Sequence, residues 1–262
     1  YIIDGELFLA DPYSEKVLDP FNDPYIDTET YPDLKAYPIN QAQNIVSVFQ
    51  MESSEFSWQN DEYDRPKEEE LVIYELLIRE FTYNHNYQSL IDTLDYLEDL
   101  GINAIELMPV NEFEGNSGWG YNTSFYFALD KYYGTPEDFK MFIDECHSRG
   151  IAVILDIVLN HVYSQNPMVQ MYWNEQMSRP AANNPWFNEI SPNQTFSFGY
   201  DFNHDMPRTQ AYSKDVLSYW IEEYHIDGYR LDFTKGLTQT PGDGGGFDAG
   251  RIRLLKDYAR HI

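Results

Sequence analysis

Four short apolar runs separated by amphipathic stretches leave few folds open to this chain. Leu71 to Ile78, Ile102 to Met108, Ile151 to Leu159 and Asp227 to Phe233 are dense in aliphatic and aromatic residues, the pattern of strands buried on both faces. Helical repeats lie between them. Leu90, Leu94, Leu97 and Leu100 stop at Gly101, and Thr135-Pro136-Glu137-Asp138 supplies a cap, a first-turn proline and two acids ahead of Phe139, Phe142, Ile143 and Cys146. Pro207 to His225 carries Val216, Leu217, Trp220, Ile221 and Tyr224 on one stripe, and Asp248 to Ile262 is a last amphipathic stretch. Such alternation means right-handed βαβ units and a parallel sheet. An open nucleotide-binding sheet should have a Gly-rich turn after its first strand, but Arg79-Glu80-Phe81-Thr82 has none, which favours a barrel. A (β/α)8 TIM barrel takes about 250 residues. Leu71 to Ile262 holds four strands, so the expected fold class is α/β with the first half of such a barrel, truncated.

The preceding region has another texture. Residues 1–60 are rich in Asp, Pro, Tyr and Asn, with short strand-like pieces such as Ile45 to Phe49 between Asp-Pro turns, and read as the C-terminal part of a small β-sandwich. Residues 61–70, polar and glutamate-rich, read as a linker, and 71–262 as the catalytic-barrel portion. The formal charge of −27 over 262 residues, with no basic tract, excludes a nucleic acid or an anionic membrane surface as partner. One cysteine, Cys146, excludes an internal disulfide and a cysteine-based metal site. No protein partner can be inferred. Because the chain opens on Tyr1 rather than Met, it is expected to be processed or a fragment, and an exported location, extracellular or periplasmic, is the leaning.

Chemistry in parallel barrels sits at the C-terminal ends of the strands. Arg230 and Asp232 are two apart and share a face of the fourth strand, where an arginine favours the ionised carboxylate that a nucleophile needs; the bland alternative is a plain buried ion pair. Asp156 ends the third strand, followed by Asn160-His161, and could be a structural partner of Arg230 while His161 is a satisfied loop histidine. Two neighbouring strands ending in charged residues on one rim favour function. Trp119 and Tyr121, between thinning glycines at Gly118 and Gly120, offer flat faces for a sugar ring, or else pack under a hydrophobic lid. Pro241 to Phe247 lacks the Lys-Ser/Thr ending of a phosphate cradle and reads as a flexible rim loop.

Asp156-Ile157-Val158-Leu159-Asn160-His161 and Gly228-Tyr229-Arg230-Leu231-Asp232-Phe233-Thr234-Lys235-Gly236 resemble, in order, the first two signature segments of the α-amylase family (glycoside hydrolase family 13) of glycosidases and transglycosidases. Asp4-Gly5 and Ala10 to Tyr13 are similar to the tail of the carbohydrate-binding-module-like β-sandwich that precedes the barrel in some members. The resemblance implies a retaining, α-amylase-like hydrolase acting on starch- or glycogen-type α-1,4-glucans, with Asp232 forming the glycosyl-enzyme and Arg230 orienting it. It implies that Asp156 holds the arrangement, His161 binds the sugar at the cleaved bond, Tyr121 stacks beneath it beside Trp119, and Lys235 meets the leaving-group side. No cofactor is needed for the chemistry. Asn160 matches a calcium ligand, although Gly236 stands where hydrolytic members usually have His. Retention needs a second carboxyl about 5 Å from the first; the family places it on a later strand, so no acid/base residue is named and the chain alone is expected to be inactive. A branching or debranching enzyme of the same family is the alternative, and a non-catalytic glycan-binding protein is the alternative of another class.

Overall fold

The computed structural model describes residues 1–49 and 55–262. At its centre β1 (Ile73–Leu76), β2 (Ala104–Leu107), β3 (Ala152–Ile157) and β4 (Gly228–Leu231) form a parallel sheet in the order β1-β2-β3-β4. A doubly wound sheet reverses its order at a switch point, whereas strands laid side by side in chain order are what a winding barrel requires. All four apolar runs therefore became sheet neighbours, each trimmed by one or two residues per end.

Besides short helices at Ile78–Phe81 and Pro167–Met171, the helices are α1 (Tyr87–Ile91), α2 (Leu94–Asp99), α3 (Pro136–Ser148), α4 (Pro207–Tyr224) and α5 (Ala249–His261). The leucine stripe from Leu90 to Leu100 is two short helices rather than one, because Thr93 turns its hydroxyl onto the Leu90 carbonyl, 2.7 Å away, and competes with the backbone ladder. At the start of α3 the expected cap is a full capping box: Thr135 Oγ1 accepts from the Asp138 amide at 3.1 Å, and Asp138 Oδ2 accepts from the Thr135 amide at 3.0 Å. Phe139, Phe142, Ile143 and Cys146 of α3 and Val216, Leu217, Trp220 and Tyr224 of α4 are all buried, as their spacing predicts. Burying each large side chain is worth roughly 1.5–3 kcal/mol, against about 0–1 for an exposed pair such as Arg149 with Asp95. Packing thus fixes the helices, and charge decorates them.

The ladder register decides which side chains share a face. Glu75 pairs with Glu106, and Arg230 with Asp156. Leu76, Ile105, Leu107, Val153, Leu155 and Ile157 belong to the core under the helices, and the Tyr229 hydroxyl donates to the Leu217 carbonyl of α4 at 2.7 Å. Alternation places Glu75, Glu106, Asp156 and Arg230 on the opposite, inner face.

An antiparallel hairpin that periodicity did not reveal joins Asn111–Phe113 to Thr123–Leu129. All its strand residues are buried, so no alternation betrays it, and the Trp220 indole donates to the Tyr126 carbonyl at 2.9 Å. The expected β-sandwich tail is reduced, among the described residues, to two ladders, Ile2–Ile3 with Leu7–Phe8 and Val17–Leu18 with Val46–Ser47. Ala10, Val17 and Ile45 pack on Phe125 and Ala128 of the hairpin, and the Tyr13 ring stacks on Phe127 at 4.8 Å. Two residues of the 61–70 linker segment are docked: Asp61 pairs with His225, and Arg65 with Asp227. Among the described residues no helix is long and apolar enough to cross a membrane.

Asp227, just ahead of β4, gathers the N-terminal end of the sheet. Its Oδ2 accepts from the Val153 amide at 2.8 Å and from His147 Nε2 at 3.0 Å, and Arg65 Nε lies 3.0 Å from Oδ1. Burial pushes this carboxyl up, but the hydrogen bonds outweigh it and hold it below its ordinary value. We expect Asp227→Ala to lower unfolding stability by at least about 2 kcal/mol in urea titrations, because buried donors lose their acceptor. A carboxyl depressed in the folded state stabilises above its unfolded pKa of about 3.9 and loses that contribution as pH falls below it. The wild type should therefore show an acid-limb loss that the variant lacks.

Candidate active site

Strand register and alternation bring the charged pair together. Arg230 and Asp156 are cross-strand neighbours, and Arg230 Nη1 lies 3.0 Å from both Asp156 oxygens while also donating to Asp232 Oδ1. One guanidinium nitrogen thus ties the two carboxylates. The Tyr121 hydroxyl donates to Asp156 Oδ2 at 2.5 Å. Asp156 is completely buried; burial pushes its carboxyl up, and the Tyr121 and Arg230 hydrogen bonds offset only part of that. Asp232 follows the last residue of β4, its amide bonded to the Ile157 carbonyl at 2.9 Å. Phe233 then takes a left-handed φ of 47°, which ends the strand abruptly beside that carboxylate.

His161 completes the inner ring. Its Nε2 lies 3.0 Å from the Tyr121 carbonyl, and because a carbonyl only accepts, Nε2 carries the proton. Nδ1 is buried with no hydrogen-bond partner. Burial lowers the ring's pKa to about 4, so the imidazole is neutral around pH 7. The Tyr126 hydroxyl supports the segment from beneath, 2.7 Å from the Val158 carbonyl and 3.0 Å from that of His161. Trp119 is 62% exposed and, with Tyr121, Met108, Leu77 and Glu80, walls an open cleft of about 570 Å3. Gly120 is needed there: at φ 89° a Cβ would sit 2.6 Å from the Pro109 carbonyl.

The structure brings together Asp156, Arg230, Asp232, Tyr121 and His161, with Trp119 at the edge. Lys235 stands apart, its ammonium 3.8 Å from the centre of the Phe196 ring. Gly236 has a packing reason, since a Cβ would meet the Phe233 ring at 2.6 Å and the Asn160 amide at 2.8 Å. The Gly-rich segment is anchored rather than flexible, because Asn193 bridges to Gly242 and Arg251 donates to the Gly244 and Gly246 carbonyls. Sequence reasoning missed Glu106, 3.9 Å from Arg230 Nε, and Glu75, whose carboxylate clusters with those of Glu106 and Asp156. The signal was present: Glu106 is the lone acid in an apolar strand. Asn160 Oδ1 is buried without a partner, as a calcium ligand would be, but Asp201, in register with His161, is already held by Asn188 and Ser191. One such side-chain oxygen falls short of the six to eight that calcium takes, so no step is routed through a metal.

Residues 84–199 match the family model "Alpha amylase, catalytic domain". The chain is 36% identical over 198 residues to malto-oligosyltrehalose trehalohydrolase of Saccharolobus solfataricus, covering 73% of this chain and 32% of that protein. It is 29% identical over 259 residues to chloroplastic isoamylase 1 of Arabidopsis thaliana, covering 84% and 32%. A crystal structure of a provisionally named alpha amylase from Salmonella typhimurium superposes with a TM-score of 0.71 at 26% identity, over 100% of this chain and 38% of that one. The chain spans about a third of the length of the curated relatives it matches.

The buried imidazole gives a pH signature. A histidine whose folded pKa lies near 4 contributes stability above its unfolded value of about 6.5 and loses it progressively as pH falls from there to about 4. The NMR shift of the His161 Cε1 proton should stay flat between pH 8 and 5.5 in the wild type. A titration midpoint near 6.5 would show an exposed ring and defeat the assigned contact with Tyr121.

Proposed function

Because this chain belongs to the α-amylase family, we propose that it carries the nucleophile side of the active centre of a retaining, α-glucan-active glycoside hydrolase. The observation that carries the reading is the single Arg230 nitrogen bound to both Asp156 and Asp232. Binding a glycan needs no carboxylate held in place by a guanidinium at a strand end. Covalent catalysis does, because the arginine fixes that carboxylate and aims it.

In the proposed first step an Asp232 oxygen attacks the anomeric carbon of an α-linked glucose as the bond to the leaving sugar oxygen breaks, with a proton supplied to that oxygen by a second carboxyl. Asp156 is unsuited to that role: it is sealed from solvent and both its oxygens are engaged by Arg230, one also by Tyr121. No residue is assigned as acid/base. Tyr121 and Trp119 supply the sugar platform, and the neutral His161 lines its edge. The four strands are read as part of a (β/α)8 barrel, and Asn160 as the residue that would touch a structural calcium ion.

A debranching reading has its own support, since a protein named isoamylase 1 is 29% identical to this chain. Comparing rates on a linear maltodextrin and on a branched glucan separates it from amylase-like hydrolysis.

In the whole parent enzyme, trapping with a fluoro-sugar inactivator and peptide mapping should place the label on Asp232; label on another carboxylate would refute the nucleophile. Tyr121→Ala should lower turnover at least tenfold, because a platform under the sugar acts through placement. Its melting temperature should fall by only a few degrees. Unchanged activity per folded molecule would assign Tyr121 to packing alone.

A further inference from the structure

The aromatic side chains around Asp232 continue past His161 into a segment to which the function above gives no role. The His161 and Phe198 ring centres lie 6.0 Å apart, Phe198 and Phe233 are edge to face at 5.5 Å, and Phe233 and Phe196 at 6.1 Å. Phe196 and Phe198 remain 38% and 48% exposed, so this wall reaches solvent, and its third ring, Phe233, immediately follows Asp232 in the chain. Lys235 closes it. The ammonium sits 3.8 Å from the centre of Phe196 and 5.5 Å from that of Phe233, and among the described residues no carboxylate forms a salt bridge with it.

The base of the segment is built as well. Asn193 is buried; its Oδ1 accepts from the amides of Thr195 and Phe196 at 3.2 and 2.9 Å, and its Nδ2 donates to the Asp243 carbonyl at 3.2 Å. Gly244, at φ 68°, lets the Lys235 carbonyl approach to where a Cβ would stand 2.3 Å away. The 193–199 segment is thus fixed at its root by Asn193 and at its tip by a cation over a ring.

We propose that Lys235 is a positioning residue that acts through Phe196, holding the Phe196–Phe198–Phe233 wall so that it receives the apolar C–H face of an α-glucan sugar on that flank of Asp232. This rests on the α-glucan reading above. A direct hydrogen bond from Lys235 to the leaving sugar makes a different prediction, because it would not depend on the Phe196 ring.

The test is a double-mutant cycle of Lys235→Met and Phe196→Leu in the whole protein, with Lys235→Arg as the conservative control. With maltohexaose as substrate, each single variant should raise KM by roughly three- to tenfold with kcat changed less than about threefold, the size of one desolvated cation–π contact. The double variant should be no worse than either single, and Lys235→Arg should keep the wild-type KM, since a guanidinium also stacks on a ring. Without substrate, hydrogen exchange of amides 193–199 should be faster in both single variants than in the wild type and in Lys235→Arg. Multiplicative KM effects, or unchanged exchange in Lys235→Met, would overturn the clamp. If the wild type acts on neither maltohexaose nor a branched glucan, the α-glucan reading and the sugar-receiving wall fall together, while the exchange data still judge whether Lys235 holds Phe196.

Discussion

Everything at the rim depends on one arginine placed between two strands. Arg230 lies beside Asp156 by register and two residues before Asp232 by alternation, so one guanidinium nitrogen serves both carboxylates. Taking a carboxylate out of water is costly unless it is paired and fully hydrogen-bonded. Asp156 meets that requirement with Arg230 and Tyr121. Remove the arginine and the buried Asp156 loses its counter-charge, Asp232 its orientation and Tyr121 a charged acceptor.

The two ends of the sheet solve different problems with the same residue type. At the N-terminal end Asp227 is an anchor, accepting from a backbone amide and a histidine and drawing Arg65 of the preceding segment onto the sheet. At the C-terminal end the acids crowd: Glu75, Glu106 and Asp156 lie together, and burial with mutual repulsion pushes the Glu106 carboxyl up. A paired acid thus lies at one end of the sheet and crowded, mutually repelling acids at the other.

The N-terminal ladders show how a local signal can be right about turns and uninformative about architecture. Asp11-Pro12, Asp19-Pro20 and Asp23-Pro24 interrupt the chain as expected, and the strands before and between them, Ile2–Ile3, Leu7–Phe8 and Val17–Leu18, are two residues long. What such pieces pack against is not written in their own sequence. Their apolar residues found the hairpin's outer side, where Phe125 and Ala128 lie, and Asp23 reached the buried Lys131 at 3.2 Å.

The sequence by itself determined the four strands, the helices that cover them, the strand-end positions of Asp156, Arg230 and Asp232, and the resemblance that gave them meaning. Those features are local or periodic: apolar runs, a capping box, a two-residue alternation. Only the tertiary structure decided that two residues of the linker are docked, that the leucine stripe breaks at Thr93, that Glu106 and Glu75 join the charged cluster, and that Lys235 faces Phe196. Each of these turns on a partner distant in sequence or on a competition between hydrogen bonds, and neither leaves a period to be read. Gly236 is the clearest case. Its identity departs from the family pattern for no reason visible along the chain, and in space the Phe233 ring and the Asn160 amide already occupy the room a side chain would need.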